Sequence, residues 1–270
     1  MNTADKLQQL NGIFQRLEKV VVAFSGGVDS TFLTAAAVRA LGPDNVLAVT
    51  AVSATLTDGE KAEALALGKQ IGVQHVLLET NEFSDAPFTA NTAERCYFCK
   101  KIRFTALVQW AAARGFNWIV EGTNVDDAGD YRPGTRAVAE LPSVRSSLKE
   151  AGLTKVEIRE VSKQWNLPTW EKPSAACLAS RIEYGLPLTA ERLKQVEEAE
   201  KLIRPLCKGQ LRVRHHGTLA RIEVEQGWIS KLAEAETAQL ISEKLKSLGF
   251  HHVALDLSGY RMGSLNEDLK

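Results

Sequence analysis

Residues 19–30 read KVVVAFSGGVDS, a valine-rich run that breaks into two glycines, an aspartate and two serines. Consecutive β-branched residues with no polar alternation suit a strand buried on both faces, the pattern of a parallel sheet. TFLTAAAVRAL (31–41) follows and is rich in helix formers. Gly26 and Gly27 therefore lie in a strand-to-helix turn, where a backbone without Cβ can aim its N–H groups at an anion. The helix start adds partial positive charge. Ser25, Ser30 and Thr31 supply further donors. Asp29 is out of place beside phosphates unless it holds Mg²⁺.

Outward from this turn, strands and helices alternate. Leu7, Leu10, Ile13, Phe14 and Leu17 mark a helix over 4–18. NVLAVTAVS (45–53), HVLLET (75–80) and NWIVEGTN (117–124) read as further strands. Helices are expected over 57–71, with Thr57 or Asp58 as N-cap and Gly72 as stop, and over 99–114. This alternation predicts an α/β fold built on a doubly wound parallel sheet. The pattern changes after about residue 165. A proline-bearing loop leads to Cys177. It is followed by an amphipathic helix over 189–203, two short strands in LRVRHHGTLARIEVE (211–225), a helix over 241–250 and a closing strand in HHVALDLSGYR (251–261). The expected organisation is a first domain over 1–167, a cysteine-bearing linker over 168–188, and a smaller C-terminal α+β domain over 189–270 for substrate and assembly.

Thirty-three basic residues balance thirty-three acidic ones. The overall basicity usual for nucleic-acid binders is missing, so no nucleic-acid partner is expected. No apolar run is long enough for a transmembrane helix, and the N-terminal residues lack the pattern of a signal peptide. A cytoplasmic protein without a membrane partner is the expectation. Four cysteines do not make a disulfide scaffold and read better as metal or reactive sites.

RCYFCKK (95–101) places Cys96 and Cys99 in a C-x-x-C, and Cys177 stands alone among small residues. Two local cysteines and a distant one suit a 4Fe–4S cluster with one open iron, which could carry an extra sulfide. A zinc site would need a histidine, and none lies near in sequence. Alternatively Cys177, with Arg181 and Lys172 to favour its thiolate, is a nucleophile. It would attack an activated carboxylate, lose its α-proton and release its sulfur, leaving dehydroalanine. Cys207 reads as a small buried hydrophobe. Glu200 and Glu223 read as solvated surface carboxylates.

SGGVDS resembles the PP-loop of the N-type ATP pyrophosphatases, and EGTNVDD (121–127) resembles their second nucleotide-side motif, which here supplies Gly122, Thr123 and Asp126. Residues 131–163 resemble the segment that follows it. The resemblance implies ATP and Mg²⁺ as cofactors, cleavage between the α and β phosphates, and adenylation of a substrate oxygen. With RCYFCKK, PSAACLASRIEYG (173–185), LRVRHHGTLARIEV (211–224) and LDLSGYRMGSLNE (255–267), the chain closely resembles, nearly end to end, the LarE family of ATP-dependent sulfur transferases. These help make the nickel-pincer cofactor of lactate racemase.

The family resemblance implies conversion of the two carboxylates of pyridinium-3,5-biscarboxylic acid mononucleotide to thiocarboxylates, one round each, with Cys177 at the sulfur-donor position. It implies Ser180, Arg181, Arg212 and Arg214 as substrate binders, a small-molecule nucleotide as partner, and a homo-oligomer, a hexamer. Members with all three cysteines look like cluster-bound enzymes. On that reading, which the C-x-x-C favours, Cys96, Cys99 and Cys177 are ligands and Cys177 survives turnover. Rival readings are a PP-loop tRNA thiolase, an ammonia-dependent ligase of the NAD- or GMP-synthetase kind, and a nucleotide- or cluster-sensing module.

Overall fold

The computed structural model describes residues 1–129, 133–173 and 176–269. Tyr131 and Arg132 of the segment after EGTNVDD, and Ser174 and Ala175 beside Cys177, fall outside them. The chain forms two compact units, one of residues 1–82 and 96–175, the other of 83–95 and 176–270. Residues 83–95, which the sequence reading assigns to 1–167, thus belong to the second unit.

The first unit is built on a five-stranded, wholly parallel sheet. Its strands are β1 (Val20–Ala23), β2 (Val46–Val52), β3 (Gln74–Glu79), β4 (Ile119–Val120) and β5 (Val144–Arg145), in the order β3-β2-β1-β4-β5. The expected doubly wound parallel sheet is present. The valines of β1 explain its central place. Val20 and Val22 pack on one face with Phe14, Phe32 and Ile158. Val21 packs on the other with Val49, Phe104 and Leu107. Adjacent residues of a strand face opposite ways, so a strand covered by helices on both sides must be apolar throughout.

Helices α1 (Thr3–Leu17), α2 (Val28–Leu41) and α3 (Asp58–Ile71) contribute to the first of these cores, and the helix Arg95–Ala112 contributes to the second. Thr57 caps α3 through a reciprocal capping box with Glu60, and Gly72 ends it in the left-handed region at φ 76°. The fifth strand was not anticipated: two residues carry no periodicity. Among the described residues, no helix is long and apolar enough to cross a membrane.

The second unit has a three-stranded sheet, β6 (Leu211–His216), β7 (Leu219–Val224) and β8 (His252–Leu255). β6 and β7 form a hairpin turned at Gly217, with φ 66°. β8 joins β7 in parallel after the helices Gln226–Leu232 and Ala235–Ser247. Cys207 is buried in this core, as its surroundings in sequence suggest. Buried Asn91 donates its amide to the carbonyls of Glu183 (2.7 Å) and Leu186 (2.8 Å), fastening residues 83–95 to the loop after Cys177.

The helix Lys155–Gln164 opens with a Thr154–Glu157 capping box, and Lys6 of α1 pairs with Glu157 at 2.7 Å. Partial burial works to raise the Glu157 pKa, but hydrogen bonds from Lys6 and Thr154 outweigh it and hold the group at about 2. Its folded pKa lies below the ordinary 4.5, so its stabilisation is complete above pH 4.5 and is lost as pH falls toward 2. In urea titrations across this window, Lys6→Ala should show a smaller acid-side loss of stability than the parent chain.

Candidate functional site

The strand order reverses at β1, whose neighbours β2 and β4 are reached by connections running opposite ways. In such sheets the crevice at the carboxyl ends of the diverging strands is where ligands bind. The loops after β1 and β4 are SGGVDS and EGTNVDD, and they enclose a cavity of about 350 Å³. Ser25, Asp29, Glu121 and Thr123 line its polar side, and Phe24, Val49, Leu56, Phe104 and Leu107 its apolar side.

Gly26 takes φ 69°, a conformation that suits glycine. Gly27 is the N-cap of α2 and provides no side-chain cap. The hydroxyl of Ser30 accepts from Ser25 N–H (3.2 Å) and donates to Gly27 O (3.3 Å), which stiffens the turn. The start of a fourteen-residue helix is thus left without a capping side chain at the cavity wall. Helix starts lacking caps are ready-made anion sites. Thr31, expected among the donors, is fully buried and is not part of the cavity wall.

Gly122 sits in a tight place. A Cβ there would stand 3.1 Å from Asp29 Cβ and 3.3 Å from Ser30 N. The second loop therefore lies directly on the first turn of α2. Asn124 donates to Asp29 Oδ1 at 3.3 Å, and Lys155 forms an ion pair with Asp29 Oδ2. Asp126 is turned to the main chain, accepting from Lys155 N–H at 2.7 Å, while Asp127 lines the cavity in its place. Asn124 and Lys155 were missed as site residues, although both lie in segments whose resemblance was noted. Their link to Asp29 spans 95 and 126 positions, beyond any local pattern. Hard oxygen donors around a phosphate cradle suit Mg²⁺, which takes few protein ligands and completes its shell with phosphate and water.

Cys96 and Cys99 stand three apart on the helix Arg95–Ala112, which starts earlier than expected and takes in the whole C-x-x-C. Cys99 lines the cavity with Lys100 and Arg103. Arg103 is fixed by an ion pair to Glu82 and by hydrogen bonds to Ser53 (2.9 Å) and Thr55 (2.6 Å). Burial alone would raise the Glu82 pKa, but the Arg103 charge and hydrogen bonds bring it below the ordinary value. Among the described residues no three Cys, His, Asp or Glu side chains converge to hold a metal.

In the second unit Cys177 is exposed and heads the short helical turn Leu178–Arg181. Arg181 reaches the carbonyl of Cys177 at 2.8 Å and is braced by Glu200 at 3.1 Å. Lys172, expected to favour the thiolate, instead donates to Gly26 O (3.0 Å) and pairs with Glu63 (2.7 Å). Glu200 is not a solvated carboxylate, since it also accepts from Val213 N–H at 3.1 Å. Glu223 is fully buried, and it binds Arg214 (2.8 Å), Arg221 (3.1 Å) and the hydroxyl of Ser264 (2.7 Å). A carboxylate at that depth needs such partners to offset its lost hydration.

Arg212 differs from its neighbours. It stands opposite Glu223 in the strand register, yet that carboxylate goes to Arg214 and Arg221. Arg212 keeps one hydrogen bond, to Leu211 O at 2.7 Å, and lies over the Tyr260 ring at 5.1 Å. Burial, then the nearby charge of Arg181, lower its pKa. Among the described residues it is a buried guanidinium with no carboxylate in ion-pair range.

Residues 8–128 match the NAD synthase family model. Over 266 residues the chain is 36% identical to the pyridinium-3,5-bisthiocarboxylic acid mononucleotide synthase of Lactiplantibacillus plantarum, covering 98% of this chain and 95% of that protein. This chain belongs to the LarE family. It is 40% identical over 264 residues to an uncharacterized protein of Synechocystis sp., covering 98% of each. A tRNA-specific 2-thiouridylase of Desulforamulus reducens is 27% identical over 201 residues, covering 58% of this chain and 53% of that protein. As a LarE-family member with a PP-loop domain, the chain is an ATP-using sulfur transferase.

Gly122→Ala should weaken ATP binding at least about tenfold, ~1.4 kcal/mol, because main-chain atoms at the start of α2 must move to admit the methyl. Calorimetric titration with a non-hydrolysable ATP analogue checks this.

Proposed function

We propose that this chain converts the carboxylates of pyridinium-3,5-biscarboxylic acid mononucleotide to thiocarboxylates for the nickel-pincer nucleotide cofactor. The likeness to the Lactiplantibacillus enzyme suggests the substrate. The observation that carries the chemistry is the conjunction, in one chain, of an uncapped phosphate-facing helix start and an exposed Cys177 in a loop held by buried arginines. A tRNA thiolase would be expected to carry a basic surface, which a net charge of zero does not favour. An ammonia-dependent ligase leaves the cysteines without a task. The protein works in the cytoplasm, as a homo-oligomer.

In this reading ATP lies along SGGVDS with its phosphates toward Ser25, Gly26, Gly27 and Ser30. Gly122, Thr123 and Asp126 belong to the loop that closes over them, and Thr31 supports the turn from inside the core. Asp29, released by Lys155, would hold Mg²⁺, which supplies charge neutralisation at the phosphates. Lys155 then neutralises phosphate charge itself. A substrate carboxylate oxygen attacks the α-phosphorus and pyrophosphate leaves. The Cys177 thiolate attacks the acyl carbon and AMP leaves, giving a thioester. Loss of the Cys177 α-proton and rupture of Cβ–Sγ release the thiocarboxylate and leave dehydroalanine.

Arg212, buried without a carboxylate partner, serves an anionic group of the mononucleotide. Arg181 and Arg214 are already held by Glu200 and Glu223. Neither guanidinium is therefore free to pair with the mononucleotide's anionic group in the way Arg212 is, and with Ser180 they act on the main chain around Cys177.

A second reading keeps Cys177 intact and draws sulfide from a 4Fe–4S cluster on Cys96, Cys99 and Cys177. The position of Cys99 in the nucleotide cavity favours it. The two readings separate on anaerobically purified protein after a single turnover. Direct donation gives a chain lighter by one H₂S at Cys177 and no stoichiometric iron. A cluster gives about four irons per chain and an unaltered Cys177. Arg212→Ala should raise the KM for the mononucleotide at least about tenfold, ~1.4 kcal/mol, and leave ATP affinity unchanged. An unchanged KM in steady-state pyrophosphate release counts against its role.

A further inference from the structure

The carbonyl oxygen of Cys177 receives three donors. Ser180 Oγ lies at 2.7 Å, Arg181 Nη1 at 2.8 Å and Ser180 N–H at 3.0 Å. A neutral carbonyl has two lone pairs and is satisfied by two hydrogen bonds. The Ser180 N–H bond belongs to the helical turn itself, and the Ser180 hydroxyl is a common addition to such a turn. The third donor is different in kind. The guanidinium of Arg181 is nine-tenths buried, reaches back to the carbonyls of both Ala176 and Cys177, and is held at its other edge by Glu200. A fixed cation thus sits on the two carbonyls that flank the α-carbon of an exposed cysteine. A second guanidinium, that of Arg214, holds the Ser180 carbonyl at 3.0 Å, so the turn is pinned at both ends.

We infer that this arrangement is an enolate cradle: Arg181 and Ser180 stabilise negative charge on the Cys177 carbonyl oxygen and so acidify its α-hydrogen for elimination of sulfur. The inference rests on Cys177 being the direct sulfur donor. The step balances with the groups in hand. The thioester on Sγ makes the sulfur a good leaving group. The α-proton passes to solvent hydroxide, which reaches this exposed residue, and the C–H electron pair moves onto the carbonyl oxygen as an enolate. Collapse of the enolate forms Cα=Cβ, breaks Cβ–Sγ and expels the thiocarboxylate. No oxidant or reductant takes part.

Oxyanion sites work when donors stand 2.7–3.1 Å from the oxygen that gains charge. Here that oxygen does not move between amide and enolate, so the resting geometry is the relevant one. A surplus donor on a neutral carbonyl becomes a matched donor on an enolate. Arg181 is on this view a catalytic residue, and Ser180 with it. Glu200 is a positioning residue, acting through Arg181.

Two measurements test this. The first is enzymatic: one turnover with ATP and the mononucleotide, followed by intact-protein mass. Arg181→Lys and Ser180→Ala should release pyrophosphate and build up the Cys177 thioester adduct, with conversion to dehydroalanine slowed about 100-fold for the arginine. The second is chemical and needs no substrate. Bis-alkylation turns cysteines into cyclic sulfoniums that eliminate to dehydroalanine in base. In the parent chain this elimination should be at least tenfold faster at Cys177 than at Cys96, and its rate should climb with pH. Arg181→Lys should remove the advantage.

If the parent chain turns over with Cys177 unaltered, direct donation fails and the cradle falls with it. If the parent yields dehydroalanine but both variants form it at the parental rate, or sulfonium elimination is equal at the two cysteines, the cradle alone is wrong and direct donation stands.

Discussion

The first unit depends on one close approach. The backbone of Gly122 lies against the first turn of α2, where a methyl group would fit only if its neighbours gave way. That contact exists because β4 pairs with β1 on the side away from β2, so two loops leave the sheet from adjacent strands and must share one crevice. The valines of β1 set the sheet, the sheet sets the crevice, and the two glycine loops fill its rim. What they leave open is a helix start without a capping side chain. The vacant cap is tolerable because water, or a phosphate, takes the place of a side chain.

The second unit manages charge differently. Its β6–β7 hairpin carries Arg212, Arg214 and Glu223 at buried strand positions and Arg221 at a half-buried one. Burying ions in this way is poor for stability and useful for fixing geometry. Glu223 and Glu200 hold Arg214 and Arg181 rigidly, and those two guanidinium groups hold the main chain of residues 176–180. Arg212 is the surplus cation. Among the described residues its desolvation is offset by one carbonyl, one aromatic face and the more distant charge of Glu200, with no carboxylate in ion-pair contact, a setting in which an anionic ligand gains.

Much of this was legible from the residues. The apolar run before SGGVDS announced a buried parallel strand, and Thr57 or Asp58 and Gly72 marked the ends of α3. Cys207 read correctly as packing. What stayed hidden was non-local. β5 is two residues long and is defined by its partner. Lys155 meets Asp29 only because the helix Lys155–Gln164 packs on α2. Glu223 looked like an outward carboxylate because alternation along a strand says which residues share a face, and nothing about whether that face meets solvent or other side chains. The C-x-x-C suggested a cluster, and nothing in its spacing told that Cys99 would also line the nucleotide cavity.

The account turns on where the sulfur comes from. Protein grown with cysteine carrying a heavy sulfur isotope, stripped of free sulfide and given ATP and unlabelled mononucleotide, answers this in one turnover. Direct donation predicts that the thiocarboxylate product carries the heavy isotope, one atom for each Cys177 lost. A product that acquires only light sulfur from added sulfide, with Cys177 unchanged, contradicts it.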